Sequence, residues 1–261
     1  PPSSYYLDCS GTTAHSPSCH STGELCGQAF WVLLNQRLHR LRPSNASYTA
    51  EIEQTLLNGV VSQLAHNESG VFYRQFSVLH KNLMPMTNVS TCCEGQGTRI
   101  LGVVPEFVFS TRDADGALWV NLFAGAAFNW TAPGGASRAV AMTTTWPYSP
   151  AVSINVTGSS SPGWSLFLRV PHWLDQASSL AVAVDCADQH TVLHGDPGSY
   201  LEVSGMKHGC SLTFNATMGL RAFKYAGLTT IPGYDRWAVM YGPVLLAAVG
   251  PWNDQLDTIV L

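Results

Sequence analysis

Charge is what this sequence has least of. Only 11% of its 261 residues are Asp, Glu, Lys or Arg, less than half the ~25% usual in a soluble domain. Thirteen basic residues stand against 17 acidic ones, for a net charge of −4, and there is no basic run. The electrostatic footprint that nucleic-acid binding requires is missing, which excludes that class of partner. Long apolar runs are missing as well. The best stretch, Ala238 to Val249, is broken by Gly242-Pro243 and falls short of the ~18 apolar residues of a membrane span. An initiator methionine and a signal peptide are absent too. The chain opens on Pro1-Pro2-Ser3-Ser4 and reads as a processed or partial piece of a longer precursor. No internal repeat is found.

What is present supplies solubility by another route. Asn45, Asn67, Asn88, Asn129, Asn155 and Asn215 each begin an N-x-S/T sequon without proline at the middle position. Six such acceptors in a charge-poor chain predict a secreted, extracellular glycoprotein of the secretory pathway, with glycans on most of them.

The chain changes character near Asp113. Residues 1–21, rich in Ser, Thr, Pro and Gly, read as irregular. From Glu24 to Leu41 the apolar residues recur at steps of three and four, which predicts a helix. A second helix is predicted from Thr49 to Leu64, with Ile52, Leu56, Val60 and Leu64 along one face. Gly70 to Tyr73 reads as extended. Thr98 to Phe109 has helical spacing again, weakened by Pro105. Past the turn at Asp113 to Gly116 the period becomes two. Strands are predicted at Trp119–Phe123, Val140–Trp146, Val152–Thr157, Trp164–Val170, Tyr200–Val203, Ser211–Phe214 and Trp237–Leu246. Helices first and strands afterwards predict an α+β chain of two parts, residues 1–112 and an antiparallel β-sandwich over 113–261.

Seven cysteines cannot all pair with one another. Cys186 with Cys210, and Cys9 with Cys19, make two plausible disulfides. Cys26, Cys92 and Cys93 remain. Adjacent cysteines rarely bridge each other, because their Cα atoms lie ~3.8 Å apart, below the ~4.4–6.8 Å of disulfides. With Glu24 these three thiols make four ligands, the number a tetrahedral Zn²⁺ takes. Two other readings stay open on the residues alone: buried thiols, or a disulfide from Cys26 to one of the pair. Glu24 also reads as a first-turn carboxylate favoured by the helix dipole.

Several blocks, in order, carry a resemblance. They are Thr22-Gly23-Glu24-Leu25-Cys26, the run Ile52 to Val60, Phe72-Tyr73, and Cys92-Cys93-Glu94-Gly95-Gln96-Gly97-Thr98-Arg99. In the second half they are Asp115 to Phe123, Leu168-Arg169-Val170-Pro171-His172-Trp173, and Arg236 to Val244. Together they resemble glycoside hydrolase family 127, the β-L-arabinofuranosidase family, from about residue 22 to 250. The resemblance implies the last helices of a catalytic (α/α)₆ barrel, followed by a β-sandwich. It implies Zn²⁺ held by Glu24, Cys26, Cys92 and Cys93, with Cys92 as the nucleophile of a retaining exo-glycosidase. It also places Tyr73 near the sugar. A barrel of about a dozen helices needs more than the three predicted here. The acid/base residue is therefore expected upstream, in the N-terminal part of the precursor or another chain that completes the barrel. Bare apolar helix faces (Leu25, Phe30, Leu33; Ile52, Leu56, Val60) are expected to be its docking surface.

Weaker candidates are His80 near the site and Trp119, Trp146, Trp164, Trp173 and Trp237 as sugar-stacking surfaces, though aromatics facing into a sandwich core are the commoner explanation. Gly95 and Gly97 are expected to turn the backbone sharply behind the metal ligands. Two other functions are consistent with the same residues: a structural glycoprotein that keeps fold and zinc, and a lectin-like carbohydrate-binding module.

Overall fold

The computed structural model describes residues 25–61, 64–67, 70–73, 92–158, 163–174, 179–187, 189–224 and 237–246, the side chains of 64–67, 70–73 and 92–94 excepted. Helix α1 (Leu25–Leu41) buries Leu25, Ala29 and Val32, at i, i+4 and i+7. The second predicted helix divides. An α-helical part, α2 (Ser47–Gln54), passes into a π-helical segment, Thr55–Val60, and Leu64, expected in the same helix, starts strand β1 (Leu64–Asn67), which pairs with β2 (Gly70–Tyr73). Gly59 in the π-helical segment has a steric reason: a Cβ there would sit 1.6 Å from Gln28 Oε1 of α1.

The third helix starts six residues earlier than its apolar spacing suggests. Helix α3 (Cys92–Val103) contains both Gly95 and Gly97, so the sharp turn expected of these glycines is not there. Glycine interrupts a helix only weakly, at ~1 kcal/mol relative to alanine, and buried Ile100 anchors this one. Pro105 begins a short separate helix, α4 (Pro105–Val108), where its missing N–H costs nothing.

Strands follow: β3 (Phe109–Thr111), β4 (Leu118–Val120), β5 (Ala126–Thr131), β6 (Ser137–Thr144), β7 (Ala151–Val156), β8 (Trp164–Val170), β9 (Leu180–Cys186), β10 (Gln189–Gly195), β11 (Ser199–Met206) and β12 (Cys210–Asn215). They form a six-stranded antiparallel sheet, β10-β9-β12-β7-β6-β5, and a four-stranded sheet, β11-β8-β4-β3, in which only β4 and β8 run parallel. The two sheets share one apolar core, in which Leu118, Leu166, Leu168, Val140, Ile154, Val182 and Leu212 are almost wholly buried. The expected Cys186–Cys210 disulfide is present and joins directly opposed residues of β9 and β12. The last predicted strand is a hairpin, β14 (Trp237–Tyr241) with β15 (Val244–Leu245), turning at Gly242-Pro243; β13 (Leu220–Lys224) pairs with β14.

The helices have a core of their own: Leu25, Ala29, Val32, Ile52, Leu56, Val60 and Ile100, closed by Phe107 and Leu122. This corrects the expectation of bare helix faces. Leu25, Ile52, Leu56 and Val60 are buried within the chain and Leu33 is half-buried. Phe30 is exposed as expected, at 57%, and with Leu34 and Leu41, at 46% and 79%, it makes the exposed apolar stripe of α1.

A polar seam docks the helices onto the outer face of the four-stranded sheet. Arg169 on β8 forms a bidentate ion pair with Glu53 on α2, both almost fully buried, and the Trp173 indole donates to Glu53 Oε2 at 2.8 Å. Tyr200 OH donates to Asn121 Oδ1 at 2.8 Å and lies 3.1 Å from Thr49 Oγ1. Its burial pushes the phenol pKa up. Asn58 ties the π-helical segment to the C-terminal hairpin: its amide donates to the Pro243 carbonyl, and its oxygen accepts from the Leu245 N–H, both at 2.7 Å.

Two histidines in this seam make stability pH-dependent. His39 stacks on Tyr200 and reaches Ser110 Oγ, while His172 Nε2 accepts from the Gln54 amide at 2.9 Å. Burial lowers His39 to about 4 against the weaker pull of Asn121. Burial likewise lowers His172 to about 4, with Glu53 raising it and Arg169 and Arg221 lowering it further. Above pH 6.5 both states are neutral at these positions and nothing changes. Between 6.5 and about 4 the unfolded chain takes up protons that the folded chain does not, so stability falls with pH by up to ~1.4 kcal/mol per unit per histidine. Urea midpoints should therefore drop from pH 7.5 to pH 5, and His39→Gln should flatten that drop. An unchanged slope in the variant would remove His39 from the account.

Candidate active site

Three of the residues expected to carry chemistry, Cys26, Cys92 and Cys93, sit at the starts of two packed helices. Cys26 is in the first turn of α1, half-buried, against the apolar cluster that includes Ile100 of α3. Cys92 and Cys93 are the first two residues of α3. The Arg99 guanidinium, further along α3, lies 5.7 Å from the centroid of the Phe30 ring on α1. The two cysteine-bearing helices therefore lie against each other. That Cys92 and Cys93 open a helix was not visible from spacing, and it matters for a thiol, because a helix N-terminus favours the thiolate.

The other expected residues divide. Glu24, Cys9, Cys19, His80 and Asn88 lie outside the described residues; Tyr73 is in β2 and Asn67 in β1, with their side chains not described. Among the described residues, no group of three His, Cys, Asp or Glu is placed to hold a metal ion. The donor set expected from the sequence, three thiols and a carboxylate, is of the chemistry Zn²⁺ prefers.

The tryptophans are mostly structural. Trp119, Trp164 and Trp173 are 3%, 4% and 1% exposed, which removes them as sugar-stacking surfaces. Trp119 stacks on Phe167 with ring centroids 4.4 Å apart, under the Arg112 guanidinium. Trp146 is half-buried against Phe123 and Trp173. Trp237 on β14 is 58% exposed and is the one of the five with a ring open to solvent.

No protein-family model matches the sequence, and no curated protein matches it. Solved structures do. One described as a glycoside hydrolase superposes with a TM-score of 0.68 at 18% identity, covering 86% of this chain and 37% of that one. A GH127 β-L-arabinofuranosidase from Geobacillus stearothermophilus T6 gives 0.63 at 19% identity, covering 86% and 36%. A second GH127 β-arabinofuranosidase gives 0.67 at 20% identity, again covering 86% and 36%. The fold is thus one shared with glycoside hydrolases. More narrowly, it is shared with GH127 enzymes, the family that the sequence blocks resemble, and the chain spans little more than a third of their length.

Proposed function

We propose that this chain is part of a secreted, zinc-dependent retaining glycosidase of the β-L-arabinofuranosidase type. The observation that supports it most is the superposition on GH127 structures over 86% of the chain, together with the cysteine pair at the start of a helix packed on α1. In this reading α1 to α3 are the last helices of an (α/α)₆ barrel. The α1 stripe of Phe30, Leu34 and Leu41 would then face the rest of that barrel, since apolar surface of this kind marks a contact.

Glu24, Cys26, Cys92 and Cys93 would hold Zn²⁺. When bound, the ion supplies the positive charge that keeps its thiol ligands deprotonated. Cys92 is assigned as nucleophile. Its sulfur attacks the anomeric carbon as the bond from that carbon to the leaving oxygen breaks. A separate acid protonates that oxygen, and water then displaces the sulfur, so two inversions give retention. Tyr73 is assigned to the sugar-binding surface.

The test is hydrolysis by the full-length protein of a panel of aryl pentofuranosides and hexopyranosides, with zinc measured on the same sample. Release of arabinose from a β-L-arabinofuranoside and one zinc per chain are expected. A zinc-loaded, folded protein that cleaves nothing in the panel would sink the assignment.

A further inference from the structure

The outer face of the six-stranded sheet is unusual in what it carries. Along β6, β7, β9 and β12 the inward residues are mostly buried and the outward ones are not, and along the edge strand β5 half-buried and exposed residues alternate. Six outward positions are alanine: Ala127, Ala139, Ala141, Ala151, Ala181 and Ala183. Thr143, Ser153 and Thr213 add hydroxyls in one row across the sheet. No lysine, arginine or glutamate points outward from these strands, and Asp185 is the one acid. A concavity of about 1320 Å³ opens at one end of this sheet, where Thr143, Ser153, Ala183 and Thr213 meet Trp173 and Arg221. The face is also the one turned away from the helices, which dock on the other sheet. An uncharged floor of methyl and hydroxyl groups on a broad sheet invites association unless something covers it.

Three sequons lie on this same face. Asn129 on β5, Asn155 on β7 and Asn215 on β12 are outward and exposed, as are the hydroxyl residues that complete each sequon, Thr131, Thr157 and Thr217. Each asparagine is flanked by a small cross-strand neighbour: Ala139 for Asn129, Ala141 and Ser211 for Asn155, Ala151 for Asn215. With strands ~4.8 Å apart and ~3.3 Å per residue, Asn155 lies about 12 Å from Asn129 and about 14 Å from Asn215. That spacing gives each oligosaccharide its own footing.

We propose that N-linked oligosaccharides on Asn129, Asn155 and Asn215 form a carbohydrate layer over the outer face of the six-stranded sheet, replacing the charged side chains it lacks and keeping it free of protein partners. At each site a bond forms from the asparagine Nδ2 to the anomeric carbon of an oligosaccharide carried by a lipid pyrophosphate. The bond from that carbon to the pyrophosphate oxygen breaks, the pyrophosphate leaves with the electron pair, and one amide proton passes to a base. Transfer precedes strand pairing, so the fold need only accommodate the product, and small neighbours do that. The inference rests on synthesis in the secretory pathway and is independent of the glycosidase reading.

The experiment uses full-length protein secreted from a eukaryotic host. Release by a peptide-N-glycosidase, which hydrolyses the side-chain amide, in heavy-oxygen water should label positions 129, 155 and 215 as aspartate. A variant carrying Thr131→Ala, Thr157→Ala and Thr217→Ala keeps the asparagines but loses the acceptors. It should lose three glycans and show at least tenfold more aggregate by light scattering, while Asn45→Gln does not. Enzymatic removal of glycans from the native protein should give the same aggregation without any effect on synthesis. Finding any of the three asparagines unmodified, or deglycosylated protein as monodisperse as its parent, would overturn the proposal.

Discussion

Cys92→Ala in the full-length protein should lower kcat by roughly 10⁴–10⁶-fold, the scale on which enzymes lose activity with their nucleophile, and excess zinc should not restore it. The physical ground is that a covalent route is lost altogether, whereas a lost ligand only weakens metal binding. Cys93→Ala supplies the contrast. Both residues stand in the first turn of α3, so both substitutions perturb the same helix start to a similar degree. If Cys93 serves only as a ligand, its variant should regain activity as zinc is raised. A second readout separates chemistry from folding. With an activated aryl glycoside, the parent protein should accumulate one sugar mass on the peptide containing Cys92, and the Cys92 variant should not. Unchanged circular dichroism in both variants keeps the comparison valid. Activity of the Cys92 variant within tenfold of the parent would place the nucleophile elsewhere.

How far the sequence could be read depended on how strongly each residue constrains its surroundings. Cys186 and Cys210 were legible because both flank strand-like runs, and they are directly opposed in β9 and β12. Strand β7 was legible because small or polar and branched apolar residues alternate along it, and β8 because it is a short run of mostly bulky apolar residues. Strands β5 and β9 were not, since Ala126, Ala127, Ala181 and Ala183 blur an apolar/polar alternation that in the fold is strict. The same alanines create the outer face that carries the sequons. β10, with outward His190, Val192 and His194, lacked a pattern altogether. In the helical half, Gly95 and Gly97 suggested a turn where α3 runs on, because tertiary anchoring by Ile100 outweighs propensity. The donor set around Cys26, Cys92 and Cys93 was suggested by cysteine arithmetic and the block resemblance. That α1 and α3 pack together came only from the structure. The seam pairing Glu53 with Arg169 was out of reach, since the two are 116 residues apart and nothing in their separate blocks links one to the other.

That seam gives the other large effect. Glu53→Ala should destabilise the protein by about 3–5 kcal/mol, the penalty for leaving one member of a buried ion pair alone. Glu53 and Arg169 are 2% and 1% exposed, so water cannot readily take the place of the lost carboxylate. The substitution also leaves the Trp173 indole N–H without its acceptor. Among the described residues, Arg169 would keep the face of Phe123, 5.6 Å from its guanidinium carbon, and a cation–π contact is worth far less than a buried charge. Against a typical stability of about 5–15 kcal/mol, the loss is roughly a fifth or more. Removing both charges should behave differently. With Glu53→Met and Arg169→Met together, no uncompensated charge remains, and most of the stability should return, because apolar replacements of buried pairs are often neutral. Urea unfolding of the parent, both single variants and the double variant makes a thermodynamic cycle that isolates the pair from its surroundings. Coupling of several kcal/mol is expected. A single variant that loses less than 1 kcal/mol would show that water reaches the seam, and that the helices are held to the sandwich by other contacts.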